Sequence, residues 1–309
     1  MINAQTEIPD AVQMPAISYS KAQAYIKLTK FRLSFLVVFS AVISYLTVAD
    51  VVSWQKLIAI ILGGFLVTAA ANGFNQIIER ELDKLMTRTC QRPLPLGILS
   101  PVEALVFCII CALGGIFILS FYTNMLSGLL GALSVVLYAG VYTPLKRITP
   151  FSVFVGAFPG AIPTLIGAVA AAEGFGEITF FAWILFAVQF MWQFPHFWAI
   201  AWVSHDDYKK AGFFMLPSGK RDKSTALQII LYTVWLMIAS LLPVLGYTGD
   251  FYISPISAVI IFILGLWMLF YAVRLYQTRT EKAARTLMLV SVSYITLLQI
   301  VYIIDKFLR

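Results

Sequence analysis

Leu57–Pro95 reads LIAIILGGFLVTAAANGFNQIIERELDKLMTRTCQRPLP, and it decides the fold because an apolar run of membrane-spanning length passes directly into aligned acids and then bases. The apolar part, residues 57–78, supplies the roughly 20 residues a helix needs to cross about 30 Å of hydrocarbon. At about 100° per residue, Asn72, Asn75, Gln76, Glu79 and Asp83 share an arc of roughly 100°, while Glu81 points to the opposite side. Glu79 and Asp83 then stand about 6 Å apart along the axis, one turn beyond Asn75. Oxygen donors so spaced suit Mg²⁺, which keeps several waters and shares other positions with substrate phosphates. An ordinary helix end would carry such acids as solvated groups or as partners of Arg80 and Lys84. The one-sided placement, the amides inside the apolar span and a second acidic segment, SHDDYKK at Ser204–Lys210, favour a metal holding a polyphosphate.

The rest of the chain places this segment in a membrane. Of 309 residues, 60% are hydrophobic and 12% charged, with a mean hydropathy of +0.86, which excludes an ordinary water-soluble domain of this length. Spanning-length apolar stretches occur near residues 33–52, 57–78, 101–121, 125–143, 153–172, 178–203, 225–246, 255–276 and 286–304. The expected fold is all-α: a polytopic membrane protein of nine transmembrane helices around a central cavity, with a cytoplasmic N-terminus. Lys and Arg collect in cytoplasmic loops, so the charges test the count independently. On this topology 19 of the 22 basic residues fall inside, and only Lys56, Lys306 and Arg309 fall outside. One missed or invented span would scramble that bias. The net charge of +7 is therefore a topology signal, and no nucleic-acid partner is expected.

Residues 1–24 read as a flexible cytoplasmic tail and residues 25–309 as a single transmembrane domain. The first 20 residues carry Glu7 and Asp10 but no basic residue and no apolar core, unlike a secretory signal or an Arg-rich presequence. A bacterial inner (plasma) membrane is the expected location, with an organellar membrane as the alternative. Cys108 and Cys111 read as small packing residues inside the third span, and Cys90 as a reduced loop thiol. No disulfide or zinc site is expected.

Most connections are short, except those after the second and sixth spans, near residues 79–100 and 204–224. Both face the cytoplasm on this topology, which hints at a duplicated helical module with one site between the halves. Prolines at 144, 159, 163, 195 and 243 fall in or beside spans, where neighbouring helices can satisfy the freed carbonyls.

Cations complete the candidate site. Arg88 and Arg92 follow the acids and can grip phosphate oxygens bidentately. Lys146 and Arg147, in YTPLKR, and Lys30 and Arg32, before the first span, enter at the same membrane face. Each of these also suits a plain topology anchor. In the sixth span Gln189, Gln193 and His196 form a stripe running toward Asp206 and Asp207, and polar groups at membrane depth face a cavity or a partner. His196, within WQFPHFWAIAW, suits a heme ligand, a proton carrier or a hydrogen-bonded structural residue. His205, beside two acids, reads as solvated.

These segments together resemble the UbiA-type intramembrane prenyltransferases, in the form found in their heme-farnesylating branch. The resemblance rests on NQIIERELDKLMTRTCQRPLP, LTKFRLSFL, YTPLKR, PHFWAIAW and DDYKKAGFFMLP, and it extends over about residues 25–309. It implies that Asn75, Glu79 and Asp83 bind Mg²⁺ and diphosphate, with Asp206 and Asp207 forming a second acidic site and Asp207 joining the metal ligands. It implies further that Arg88, Arg92 and Lys146, with Lys30 and Arg32 beside them, contact the diphosphate, and that His196 serves the heme side. Glu79 stands where Asp is more usual, Phe31 replaces a frequent Pro, and Ala211 interrupts the Asp-x-x-x-Asp spacing after Asp207.

The activity so implied is transfer of a farnesyl group from farnesyl diphosphate to a vinyl group of heme B, with addition of water, giving heme O. Heme A synthase or a terminal oxidase would take the product. The alternatives are a related prenyltransferase acting on another aromatic or chlorin acceptor, and a multi-pass transporter. A transporter would carry its ionisable groups near the midplane, whereas these cluster at one face.

Overall fold

The computed structural model describes residues 19–246 and 252–308. Residues 1–18 of the expected tail lie outside the described residues. Lys21–Ala24, assigned above to that tail, instead open helix α1 (Lys21–Thr29), because Ser20 and Gln23 cap each other's backbone N–H and Ala24 is buried. The helix ends at Lys30, whose φ of 49° is left-handed, and α2 (Phe31–Val48) leaves at a new angle. Such a φ is unfavourable for a residue with a β-carbon.

Helix α3 (Trp54–Ile78) holds this corner in place. Gln76 Nε2 donates to the Leu28 carbonyl at 2.8 Å, and Asn72 Nδ2 donates to Ser34 Oγ at 3.3 Å. Two amides on the polar arc of α3 thus secure the α1–α2 bend. Glu79 breaks the helix, and a short turn, α4 (Arg80–Asp83), follows.

The chain continues through α5 (Pro101–Tyr122), α6 (Met125–Val135), a π-helical segment (Val136–Tyr142) and α7 (Thr143–Leu145). Then come α8 (Ser152–Ala170), α9 (Phe180–Val203), α10 (His205–Lys210), α11 (Lys223–Leu241), α12 (Pro255–Thr278) and α13 (Glu281–Leu308). Among the described residues there is no strand, and nine helical stretches are long and apolar enough to cross a membrane, counting Met125–Leu145 as one. They coincide with the nine expected from the sequence. Side chains cap their N-termini where the sequence changes from polar to apolar: Ser53, Ser100, Asn124, Thr179, Asp222 and Ser254 each accept a backbone N–H of the first turn.

Six of the nine stretches, α2, α3, α6 with its π segment, α8, α9 and α13, line a cavity of about 410 Å³. Helices α5, α11 and α12 pack outside them. At the closed end α2 and α8 touch backbone to backbone: a β-carbon on Gly167 would stand 1.9 Å from the Ala41 carbonyl oxygen. Glycine is required there because only hydrogen fits. Ser44 Oγ donates to the Thr164 carbonyl beside it, at 2.7 Å.

The open end carries both long charged loops. The Arg88 backbone N–H donates to Asp207 Oδ2 at 3.2 Å, so the connections after α3 and α9 cover the same face. Lys56 and Lys306, two of the three exceptional bases, lie at the other end. Lys56 pairs with Glu173 at 2.7 Å, and Lys306 Nζ donates to the Leu46 and Ala49 carbonyls at the C-terminus of α2. Arg309 lies outside the described residues.

Candidate active site

The mouth of the cavity is an alternation of acids and bases. Asn75, Glu79 and Asp83 are all buried and line the wall on one side, as their shared helical arc requires. Each meets a cation. Lys146 Nζ lies 2.7 Å from Glu79 Oε1, Arg92 Nη1 reaches both Asp83 oxygens at 2.8 and 2.7 Å, and Lys30 Nζ donates to Asn75 Oδ1 at 3.5 Å.

Burial pushes the Asp83 carboxyl up, while the charge and hydrogen bond of Arg92 pull it down without fully offsetting the desolvation. Lys30 is affected more strongly. Desolvation, then repulsion from Arg92 and Lys146, lowers its ammonium to about 7, against the attraction of Glu79 and Asp83. Burial is the larger cause, and the two neighbouring bases add to it. A polyanion bound beside Lys30 would favour its charged form.

The π-helical segment supplies residues that sequence reasoning missed. Its wide turn is marked by Thr143 Oγ1, which donates to the Tyr138 carbonyl five residues back at 2.8 Å. Tyr138, Tyr142 and Lys146, each four residues apart, all line the cavity. Lys146 Nζ sits 4.6 Å from the Tyr142 ring centroid, which positions the ammonium toward Glu79. Thr143 Oγ1 accepts from Asn75 Nδ2 at 3.1 Å; that bond turns the Asn75 oxygen toward Lys30. The recurring Tyr-x-x-x-Tyr-x-x-x-Lys spacing was the available signal.

Other expected site residues separate from this group. Asp206 is exposed and pairs with Arg221 at 3.2 Å. Asp207 is not in the cavity wall: one oxygen pairs with Lys210 at 3.0 Å, and the other accepts the Arg88 N–H. It therefore fastens the loop that carries Arg88 and does not converge with Asn75, Glu79 and Asp83. Among the described residues no three acidic, histidine or cysteine side chains gather around one point. Arg32 is exposed and outside the wall, because the sharp turn at Lys30 directs the two bases to different sides. Arg88 is at the rim, where its Nη2 donates to the Tyr208 hydroxyl at 3.4 Å.

Deeper in, Gln189, Gln193 and His196 line the cavity as one stripe. Gln193 Nε2 donates to the Ala157 carbonyl at 2.8 Å, and Gln299 Nε2 donates to Gln189 Oε1 at 3.3 Å. Phe190, Phe194 and Trp198 do not face the cavity; they pack with Phe154 and Tyr232 between α8, α9 and α11. The aromatic groups that line it are Phe39, Tyr138, Tyr142, Trp192, Phe197, Tyr208 and Phe213. His205 is half-buried and sits outside the wall.

Comparison with known proteins agrees with this geometry. Residues 36–296 match the UbiA prenyltransferase family. The chain is 56% identical over 286 residues to a protoheme IX farnesyltransferase of Flavobacterium johnsoniae, covering 92% of this chain and 94% of that one. Its fold resembles that of a digeranylgeranylglyceryl phosphate synthase, with a TM-score of 0.76 at 19% identity over 94% of this chain and 99% of the other. It also resembles a UbiA homolog from Archaeoglobus fulgidus bound to DMAPP and Mg²⁺, with a TM-score of 0.70 at 15% identity over 92% and 98%. The apolar chamber with its ion-paired mouth, the nine spans and the extent of these matches lead to one assignment: the chain belongs to the UbiA prenyltransferase family.

Proposed function

We propose that this chain transfers a farnesyl group from farnesyl diphosphate to a vinyl group of heme B, with addition of water, to give heme O and diphosphate. The observation that carries the reading is the set of three cations interleaved with Asn75, Glu79 and Asp83 at the mouth of an apolar chamber. The identity to a protein named for this reaction supplies the acceptor.

The donor's diphosphate would sit among Lys30, Arg92 and Lys146, with Arg88 at the rim, and its isoprenoid chain would extend inward between α2, α8, α9 and α13. As the C1–O bond breaks, negative charge grows on the leaving oxygens, and pre-placed cations in a dry site stabilise it. The terminal vinyl carbon of the porphyrin bonds to C1. A water oxygen then adds to the inner vinyl carbon and loses a proton, leaving a hydroxyethylfarnesyl substituent. Tyr138, Tyr142 and Phe213, in the cavity wall, would offer aromatic rings to the transient cation.

The residues fit Mg²⁺ as well. Two carboxylates and an amide oxygen form a hard donor set that needs phosphate oxygens to complete it, and the bases now holding Glu79 and Asp83 are the groups a diphosphate would draw away. Asn75, Glu79 and Asp83 would hold the ion, which would neutralise phosphate charge. Asp207 would act on the loop and Asp206 at the surface.

The bacterial relatives support a plasma-membrane location, and the charge asymmetry supports a mouth toward the cytoplasm. Release of heme O to a heme A synthase or a terminal oxidase would follow. The test is extraction of hemes from cells expressing the chain in a background that lacks this activity: accumulation of heme O supports the reading, and heme B alone contradicts it.

A further inference from the structure

The chamber ends on a bridge built around one amide. Gln299 Nε2, on α13, donates to Ser40 Oγ on α2 at 3.1 Å and to Gln189 Oε1 on α9 at 3.3 Å. Both of its N–H groups are thereby committed, and a single side chain ties three helices together. All three residues are buried and line the cavity. They also line a second void, of about 10 Å³, so the bridge is the partition between the two spaces. A void of that size holds about one water. The hydroxyls around it are already donating: Ser44 Oγ to the Thr164 carbonyl and the Tyr302 hydroxyl to the Ser240 carbonyl, both at 2.7 Å. Next to Ser40, α2 is in backbone contact with α8 through Ala41 and Gly167.

The depth of the bridge matches a chain length. Lys30 stands at the mouth, and Ser40 is the tenth residue of α2 beyond it, or about 15 Å along the axis. On α13, Val292, Ile295, Thr296 and Gln299 share the face turned to the cavity, and Gln299 is the deepest of them. An extended isoprenoid unit adds roughly 5 Å, given carbon–carbon bonds of about 1.5 Å. Three units therefore fill the distance from mouth to bridge, and a fourth would have to pass it. A hydrocarbon tail offers no hydrogen bond in exchange. Breaking through would leave the Gln299 amide buried against an apolar chain without its partners, an arrangement that is costly.

We infer that the bridge from Gln299 to Ser40 and Gln189 is the stop that sets donor length, admitting chains of three isoprenoid units and rejecting chains of four. These residues determine specificity for the donor and lie apart from the groups at the mouth that hold the diphosphate. The inference rests on the isoprenoid diphosphate reading above.

The test uses purified full-length protein in detergent with Mg²⁺. Labelled farnesyl diphosphate is displaced by unlabelled geranyl, farnesyl or geranylgeranyl diphosphate, so the readout is independent of the acceptor. In the wild type, geranylgeranyl diphosphate should bind about tenfold or more weakly than farnesyl diphosphate. Gln299→Ala removes the stop and joins the two spaces; the geranylgeranyl-to-farnesyl affinity ratio should rise about tenfold or more. Ser40→Leu brings the stop nearer the mouth, and the farnesyl-to-geranyl ratio should fall by a similar factor. Because each variant is read as a ratio of two donors, loss of folded protein does not imitate the effect, and Ser40→Leu decides alone if Gln299→Ala does not fold. Equal affinity of the wild type for farnesyl and geranylgeranyl diphosphate, or a ratio that stays put in a folded variant, overturns this inference and leaves the donor reading standing. Failure of all three diphosphates to bind the wild type overturns both.

Discussion

Lys146 Nζ stands 2.7 Å from Glu79 Oε1 across the cavity mouth, although 67 residues separate the two in sequence. The contact joins the end of α3 to the turn after the π-helical segment. The Phe214 backbone N–H donates to the Lys146 carbonyl at 2.7 Å, which links the second charged loop to the same point. One ion pair thus sits where three separate segments meet.

Glu79→Gln keeps the volume and an acceptor for Lys146 but removes the charge. Turnover of farnesyl diphosphate should fall by about 10²–10³, with the protein still inserted and folded by thermal denaturation in detergent. A variant that retains wild-type turnover would remove Glu79 from the reaction.

Arg92→Met addresses the other pair. Asp83 is fully buried, and a buried charge left without its partner costs about 3–5 kcal/mol. The single variant should be markedly less stable than wild type. Adding Asp83→Leu should restore much of the stability but none of the turnover. Thermal scans and product assays on the single and double variants separate the two effects.

These pairings mark the boundary of what the sequence disclosed. Nine spans were legible because apolar length and basic-residue bias are local patterns, and both survive in α2 through α13. The polar arc of α3 was legible from helical periodicity. The partners of that arc were not: Lys146 and Arg92 arrive from segments whose path depends on tertiary packing, and the left-handed turn at Lys30 directs Lys30 inward while Arg32 remains exposed. Asn72 and Gln76, on the same arc, bond to the α1–α2 corner, a role that periodicity cannot separate from metal binding. Asp207 was grouped with the acids by type, but its contact with the Arg88 backbone spans 119 residues. Gln299 gave no signal, since a single polar residue in an apolar helix has many uses.

Asp207 should make the Arg88 loop insensitive to mild acid. Burial pushes its carboxyl up, but hydrogen bonds from Lys210 and from the Arg88 and Thr87 backbone amides outweigh that and leave it below the ordinary value of 3.8. A carboxylate depressed on folding contributes stability above its unfolded pKa, and the contribution disappears as pH falls through the lower folded value. Amide-exchange protection at residues 85–92, corrected for intrinsic rates, should therefore stay level from about pH 8 to 5, where both values lie below the pH. Asp207→Ala should lower that protection at every pH in the range. A loop that loosens between pH 7 and 5 in the wild type would contradict the assignment.

In the proposed binding mode Gly160, in the cavity wall, would set the room available to the isoprenoid chain. A β-carbon there would stand 1.9 Å from Gln193 Oε1, so Gly160→Ala should swing the Gln193 amide into the cavity. Overpacking of this kind costs about 1–3 kcal/mol. KM for farnesyl diphosphate should rise several-fold or more, with a smaller rise for geranyl diphosphate. Equal effects on both donors would place the chain elsewhere.

The central claim is that Asn75, Glu79 and Asp83, with their interleaved bases, hold a metal-bound diphosphate and release it. The most direct measurement follows pyrophosphate release by purified protein supplied with farnesyl diphosphate and ferrous heme, before and after exhaustive chelation and again after Mg²⁺ is returned. The account predicts that chelation stops release, that Mg²⁺ restores it in the wild type, and that Glu79→Gln recovers little. Undiminished release after chelation would contradict it.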